Sequence, residues 1–121
     1  MNNNFTHKEL ASGGWQKLTL MEQLGNIGSE VSRSINWFKK NNQQYFNSAF
    51  ERALELFDLS ISDNRWKGRL KEIVRCREYY CSLFFAPELY KEIDKEFDSI
   101  NKYFLYLGIA ARNERAKVIK V

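Results

Sequence analysis

The chain has 121 residues and a net charge of +4, and its apolar fraction of 44% draws on nine Phe, six Tyr and three Trp. These values suit one domain with its own core and exclude a mainly disordered chain, while one proline and six glycines argue against a turn-rich sandwich or barrel. No stretch approaches the roughly 18 to 20 apolar residues of a membrane span, and the N-terminal sequence lacks a signal peptide's apolar core, so we expect a cytoplasmic protein with no membrane partner.

We expect residues 1–18 to form a loosely ordered lead, whose last turn packs against the rest of the protein through Trp15 and Leu18. Thr19 and Glu22 have the capping-box spacing of a helix start, in which each side chain reaches the backbone amide of the other residue. Apolar residues then recur at steps of three and four, the period of one helix face. This first stripe consists of Leu20, Leu24, Ile27, Val31, Ile35 and Phe38.

Three further helices are predicted over about residues 44–62, 66–85 and 88–112, each with an apolar stripe of the same period. Pro87 separates the last two, because proline excludes helical geometry at the residue before it. Residues 113–121 are expected to form a basic C-terminal tail. The three stripes are Phe46, Phe50, Ala53, Phe57 and Ile61; Trp66, Leu70, Ile73, Arg77, Tyr80 and Phe84; and Ile93, Phe97, Ile100, Phe104, Leu107 and Ala111.

Four amphipathic helices joined by short links predict an all-α fold, an antiparallel up-down-up-down four-helix bundle over residues 19–112. Short links place consecutive helices side by side in opposite directions. None of the helices is apolar all round, so all four must share one core. The main alternative is a pair of helical hairpins exchanged between two chains, which uses the same helices with a different partner.

A strip of small residues runs beside the apolar stripe of the first helix and comprises Gly25, Gly28 and Ser32. Each glycine in a helix interior costs about 1 kcal/mol relative to alanine, so a compensating interaction is expected. Close approach of another helix backbone would compensate, either inside the bundle or from another subunit. The three residues are therefore candidate oligomer contacts.

Cysteine and histidine are too sparse for several kinds of site. Cys76 and Cys81 are five residues apart on one predicted helix and point to divergent faces, which predicts two reduced, half-buried thiols. His7 is the single histidine and lies in the N-terminal lead, which removes a Cys₂His₂ zinc site and a histidine-based triad within one chain. Glu51, Glu55 and Asp58 form an acidic row that specifies no metal or acid–base site by itself. We expect no enzyme, metal or cofactor, and no small-molecule substrate is identified.

Positive charge is concentrated on the third predicted helix, where residues 65–78 carry six Arg or Lys against two Glu. In one interpretation these cations pair with the acidic row of the second helix and are neutralised. In the other, they form a phosphate-contacting surface with aromatic rings nearby, which the tail extends. The candidate residues for binding nucleic acid or a partner are Arg65, Lys67, Arg69, Lys71, Arg75, Arg77 and Arg112.

Several short motifs, spread over residues 15–112, carry a resemblance to a known family. They are Trp15-x-Lys17-Leu18, Met21-x-x-Leu24-x-Asn26-Ile27-x-x-Glu30-Val31, Ala49-Phe50-Glu51-Arg52-Ala53-Leu54-Glu55-Leu56-x-Asp58, Arg69-Leu70-Lys71-Glu72-x-x-Arg75-x-Arg77-Glu78, and Tyr103-Phe104 ahead of Ala110-Ala111-Arg112. Together they resemble the small bacterial four-helix bundle proteins encoded in ribosomal-RNA intervening sequences and, more distantly, the accessory (Avd-type) proteins of diversity-generating retroelements.

The resemblance implies a left-handed antiparallel bundle that self-assembles, with pentameric barrels among the relatives. It also implies a basic surface of the kind that the retroelement proteins use to engage a reverse transcriptase and nucleic acid. Carried over to this sequence, that surface consists of the third-helix cations and Arg112. We expect a non-enzymatic, self-associating bundle that binds RNA or a nucleoprotein partner. The alternative is a structural or protein-interaction subunit with no nucleic-acid role.

Overall fold

The computed structural model describes residues 13–119, except the side chains at positions 67, 108, 110, 111 and 114–119. It contains four α-helices, namely α1 (Leu20–Lys39), α2 (Gln43–Ile61), α3 (Leu70–Phe85) and α4 (Ile93–Ile119). Three short 3-10 helices, Trp15–Lys17, Asn64–Arg69 and Pro87–Leu89, precede α1, α3 and α4. No strand occurs within residues 13–119, so the all-α prediction is confirmed over this range, whereas His7 lies outside it.

Paired residues on neighbouring helices show that the bundle is antiparallel and closes within one chain. Glu30 near the middle of α1 accepts a hydrogen bond from Arg52 of α2 (Nε to Oε2, 2.6 Å), whereas Gln23, a turn or two earlier, meets Ser60 later in α2. Helix α4 also runs antiparallel to α1, because residues later in α1 contact residues earlier in α4. The predicted up-down-up-down arrangement is therefore confirmed, with α1 and α3 on one diagonal, joined by the hydroxyls of Ser34 and Tyr80 at 2.6 Å.

The helix boundaries follow from local hydrogen bonding. The capping box at the start of α1 is present, with the Thr19 side chain accepting from the Glu22 amide at 3.1 Å and the Glu22 side chain accepting from the Thr19 amide at 3.0 Å. Between α1 and α2, Asn41 takes a left-handed conformation (φ 57°), which asparagine tolerates well. The Asn42 side chain then caps α2 by accepting from the Tyr45 amide at 3.0 Å.

Three predicted boundaries differ from the structure. The α-helical part of the third helix begins at Leu70 rather than at residue 66, because the Asp63 side chain binds the Arg65 amide and tightens residues 64–69 into a 3-10 helix. The fourth α-helix begins at Ile93 rather than at residue 88, after the 3-10 turn that contains Pro87. It also continues past Arg112 to Ile119, through a segment of Ala, Arg, Glu and Lys that favours helix, so the expected tail from residue 113 is largely part of α4.

The predicted stripes supply most of the core. Two stripe residues that were expected in the core are exposed instead. Phe38 and Leu70 are each 40% exposed, because they lie in the last turn of α1 and the first turn of α3. Sequence periodicity missed Leu83, which is fully buried. The largest fully buried side chains are Trp15, Trp66, Tyr80, Phe57, Phe97, Leu24, Ile27, Ile35, Leu56, Ile73, Leu83 and Ile100.

Helix α3 is held farther from its neighbours than α1 is from α2 and α4. Aromatic rings fill the space between α2 and α3, where the Tyr80 ring lies 5.2 Å from that of Phe50 and 5.9 Å from that of Phe57. Phe84 adds a further ring, 5.7 Å from Phe50. The two edges of α3 are consequently the wider seams of the bundle.

Candidate nucleic-acid and subunit interfaces

A buried polar network fixes the segment in which the basic run begins. The Gln23 amide oxygen accepts from the indole of Trp66 and the hydroxyl of Ser60, both at 2.9 Å, and its nitrogen donates to Asp63 at 2.8 Å. The Trp15 indole in turn donates to Ser60 at 3.0 Å. This network ties the first 3-10 helix to the link between α2 and α3, and it was not predicted from the sequence. The sequence offers one indication of such a network, because each tryptophan that is buried needs an acceptor for its indole N–H group.

Arg65 is held by the carboxylate of Asp63, which is almost completely buried. Its guanidinium donates from Nη2 to Oδ2 at 2.6 Å, and its backbone amide donates to Oδ1 at 3.0 Å. Hydrogen bonding from Arg65 is the main reason why the pKa of Asp63 falls to about 2. The Arg65 side chain still presents 43% of its surface to solvent, although its charge is matched locally.

Two more of the predicted cations have carboxylate partners. Arg69 pairs with Glu72 (Nε to Oε2, 3.1 Å), and its guanidinium lies 5.4 Å from the centroid of the Trp66 ring. Arg77 crosses to Asp58 of α2 at 3.1 Å, which is the neutralising pair that one of the two interpretations predicted. Neutralisation by the acidic row of α2 is therefore observed at Arg77, whereas Arg65 and Arg69 are matched by carboxylates close in sequence.

Lys71 and Arg75 differ from the other cations of α3. Both are exposed, and within residues 13–119 neither forms an ion pair with a described side chain. They line one shallow depression of about 340 Å³ together with Leu70, Val74 and Glu78. We refer to Lys71 and Arg75 as the basic face. The side chain of Lys67 lies outside the described residues.

Arg112 does not lie with the cations of α3. It is exposed and lines a groove of about 570 Å³ between α1 and α4, together with Gly25 and Ser32. The structure therefore places Arg112 beside two of the candidate oligomer contacts instead of extending the basic face. Helical spacing explains this placement, because Arg112 follows Leu105 by seven residues, close to two turns, on the same side of α4.

The three candidate oligomer contacts have different environments. Gly28 is buried, and a Cβ atom added there would lie 2.4 Å from the Cβ of Phe104. Gly28 is therefore a packing position inside the bundle, the first of the two alternatives predicted, and is not available as an oligomer contact. Gly25 and Ser32 are half-buried at the α1–α4 groove and stay candidates.

An exposed apolar surface borders this groove on α4. It consists of Leu105, Tyr106 and Ile109, with exposed fractions of 59%, 67% and 38%, and we refer to it as the α4 ridge. Contiguous exposed apolar residues of this kind are typical of protein contact sites. Sequence analysis did not single out these residues, although their spacing places them together on the face opposite the Phe104 stripe.

No family model matches this chain, and no curated protein or solved structure does either. The family resemblance seen in the motifs therefore stays a prediction. None of the helices within residues 13–119 is long and apolar enough to cross a membrane. Across the same residues, no group of three or more His, Cys, Asp and Glu side chains is arranged to hold a metal ion.

The two cysteines are free and half-buried, as predicted. Burial raises the pKa of the Cys76 thiol to about 12, and it also raises the pKa of Cys81. A nucleophilic cysteine requires a lowered pKa, because the thiolate is the reactive form. The environments of these two thiols therefore oppose nucleophilic chemistry.

Proposed function

We propose that this protein is a non-enzymatic, self-associating helical bundle that binds RNA, or the RNA of a nucleoprotein partner, through the basic face of α3. The observation that carries the proposal is that Lys71 and Arg75 lie one turn apart, exposed and without carboxylate partners among the described residues. Cations already paired with carboxylates gain less from a phosphate, because that pairing must be broken or shared. Unpaired, solvated cations bind phosphate by releasing counterions.

The neighbouring residues support a nucleic-acid role for this face. Arg65 and Arg69 remain more than 40% exposed while their guanidinium groups are held by Asp63 and Glu72, so part of each can still contact a passing phosphate. Arg69 also stacks near the Trp66 ring, which restricts its motion. The basic face is thus flanked by positioned guanidinium groups.

The α4 ridge and the α1–α4 groove support self-association. Leu105, Tyr106 and Ile109 form a continuous exposed apolar surface, and the groove beside it offers the small residues Gly25 and Ser32 to an approaching helix. Burial of such a surface against a second copy is favourable by roughly 25 cal/mol per Å² of apolar area. If the ridge is the only functional surface, the protein is a structural or protein-interaction subunit, the second candidate function.

The direct test is binding of a fluorescently labelled single-stranded RNA, followed by anisotropy over a range of salt concentrations. We expect the logarithm of the binding constant to fall linearly with the logarithm of salt concentration. The double variant Lys71→Glu/Arg75→Glu should bind more weakly and with a shallower salt slope. Lys40→Glu/Lys91→Glu, the same charge change at two exposed positions at the other end of the bundle, is the matched control.

Two results would separate the candidate functions. Equal loss of binding in both double variants would mean that only net charge matters, and the assignment to the basic face would be wrong. A stable oligomer by size-exclusion chromatography with light scattering, combined with no RNA binding at low salt, would favour the protein-interaction subunit. A monomer would contradict self-association, and Leu105→Ser/Ile109→Ser should give a monomer if the α4 ridge is the contact.

A further inference from the structure

The seam between α3 and α4 contains a solvent-open pocket of about 350 Å³ that the function proposed above does not use. Its size is within the range of small-ligand sites, which begins at roughly 300 Å³. We refer to it as the tyrosine cavity. It is lined by Arg75, Cys76, Tyr79, Ser99, Ile100 and Tyr103.

Both tyrosines of the cavity are held in place through their hydroxyl groups. Tyr79 donates to Glu96 of α4 at 2.5 Å, and Tyr103 donates to Glu72 of α3 at 3.3 Å, so each bond crosses the seam. Glu72 is itself held by Arg69. Burial is the main cause that raises the pKa of Tyr79 and, to about 12, that of Tyr103, so both phenols keep their protons. The two tyrosine side chains that line the cavity are therefore uncharged and held in position.

The cavity adjoins the basic face on one side. Arg75 lines both the tyrosine cavity and the shallow depression that holds Lys71, so the basic face and the cavity share a side chain. In that depression the two cations outnumber the one carboxylate, Glu78, whereas Glu72 and Glu96 lie at the tyrosine hydroxyls, where Glu72 is paired with Arg69. An occupant that matches this site has a flat, largely apolar body and carries negative charge just outside the cavity.

We propose that the tyrosine cavity receives one unstacked nucleobase of a single-stranded RNA, with the adjoining phosphates on Arg75 and Lys71. This inference rests on the proposed RNA-binding function and specifies its substrate class. Every base has a π-face that can lie on a tyrosine ring, so the cavity selects single strands with little regard to sequence. Bases in a duplex are already stacked and paired, and they cannot enter without being flipped out.

The decisive measurement compares a single-stranded RNA with a fully paired RNA of the same length, at fixed salt. Stacking of one base contributes about 1 to 3 kcal/mol, so we expect at least fivefold tighter binding of the single strand. A 2-aminopurine placed in the single strand should change its fluorescence on binding, because that signal reports the stacking of the base itself. An unchanged signal at every position tested would overturn the cavity assignment.

Variants at Tyr103 test the role of the ring. Tyr103→Leu should lose about tenfold in single-strand affinity and leave duplex affinity unchanged, whereas Tyr103→Phe, which keeps the ring and loses only the bond to Glu72, should retain most of the preference. Tyr45→Leu removes a tyrosine that is 50% exposed and lies outside both the cavity and the α4 ridge, and it serves as the matched control. Ser99→Leu, which fills the mouth without removing core packing, repeats the test if Tyr103→Leu unfolds, as judged by circular dichroism.

The outcomes distinguish this inference from the function on which it rests. Equal affinity for single-stranded and paired RNA, with Tyr103→Leu no different from Tyr45→Leu, would overturn the base-binding cavity while Lys71→Glu/Arg75→Glu still reports on the basic face. Absence of all salt-dependent RNA binding would overturn both. In that case the cavity could still take an aromatic side chain of a protein partner, a result that contradicts the RNA assignment.

Discussion

Gly28 of α1 lies directly against Phe104 of α4, so close that an added Cβ would come within 2.4 Å of the Phe104 Cβ and 2.8 Å of its Cγ. The Phe104 Cβ is bonded directly to the α4 backbone, so it cannot swing aside as the end of a flexible side chain could. The two helices can pack at this separation only because residue 28 has no side chain. This contact explains why a glycine is retained in the interior of α1.

Gly28→Ala should therefore destabilise the protein. Overpacking costs typically about 1 to 3 kcal/mol, and the better helix propensity of alanine recovers about 1 kcal/mol, so we expect the free energy of unfolding to fall by up to about 2 kcal/mol in urea titrations. Gly68→Ala is the matched control, because nothing lies within 4 Å of a Cβ added there. If Gly28→Ala is no less stable than Gly68→Ala, the close helix contact is wrong.

Gln23→Leu should be more damaging than its size suggests. The change keeps the volume but removes the acceptor of Trp66 and the buried donor to Asp63. Each buried polar group left without a partner costs about 1 to 3 kcal/mol, so a loss of about 3 kcal/mol is expected. Tryptophan fluorescence during unfolding measures it. Gln44→Leu, at an exposed position on α2, should change stability little, and equal effects in the two variants would contradict the network.

Stability should fall in acid partly through Asp63. Its pKa is lowered from 3.8 to about 2, so its ionised form stabilises the folded state at pH values above 3.8, and this contribution is lost as the pH falls towards 2. A difference of that size corresponds to about 2 kcal/mol. Asp63→Asn should consequently lose less stability than the wild type between pH 5 and pH 2. Asp94→Asn, at an exposed position, should follow the wild type; a parallel loss in all three proteins would refute the assignment.

Cys76 should react slowly with thiol reagents. A pKa of about 12 leaves very little thiolate at pH 8, and the thiolate is the species that attacks. In a Cys81→Ser background, labelling by a disulfide reagent should be slower by orders of magnitude in the folded protein than in denaturant. The reciprocal Cys76→Ser background measures Cys81 alone. Fast labelling of Cys76 in the folded protein would contradict its raised pKa.

Long α-helices were the part of this molecule that the sequence could predict. Apolar steps of three and four residues located α1, α2 and the body of α3 and α4, and the capping box at Thr19 and Glu22 fixed a helix start to the residue. Such patterns are local, and each helix repeats them over several turns. A 3-10 segment of six residues such as Asn64–Arg69 has too few repeats to show a period, and its Asp63 cap competes with the α-helix.

The apolar periodicity of the sequence does not predict interactions between residues that are distant in sequence. The partners of Gln23 lie about 40 residues away, and nothing local identifies a glutamine as a buried hub. The sequence shows the excess of cations along α3, but the pairing of each cation depends on rotamers and on the register of α2. Sequence alone therefore cannot distinguish Lys71 and Arg75, which are unpaired among the described residues, from Arg77, which has a carboxylate partner. Arg112 was misplaced because its helical phase relative to α1 depends on how α4 docks.

The rings of Phe50, Phe57 and Tyr80, which keep α3 away from α2, affect which substitutions the fold can tolerate. A seam spaced by large rings tolerates small shifts of its helix more readily than one in which a glycine lies against a neighbouring Cβ. We therefore expect substitutions that tilt or slide α3 slightly to be tolerated better than substitutions at Gly28. Helix α3, which carries the exposed Lys71 and Arg75, is thus the helix whose position the packing constrains least.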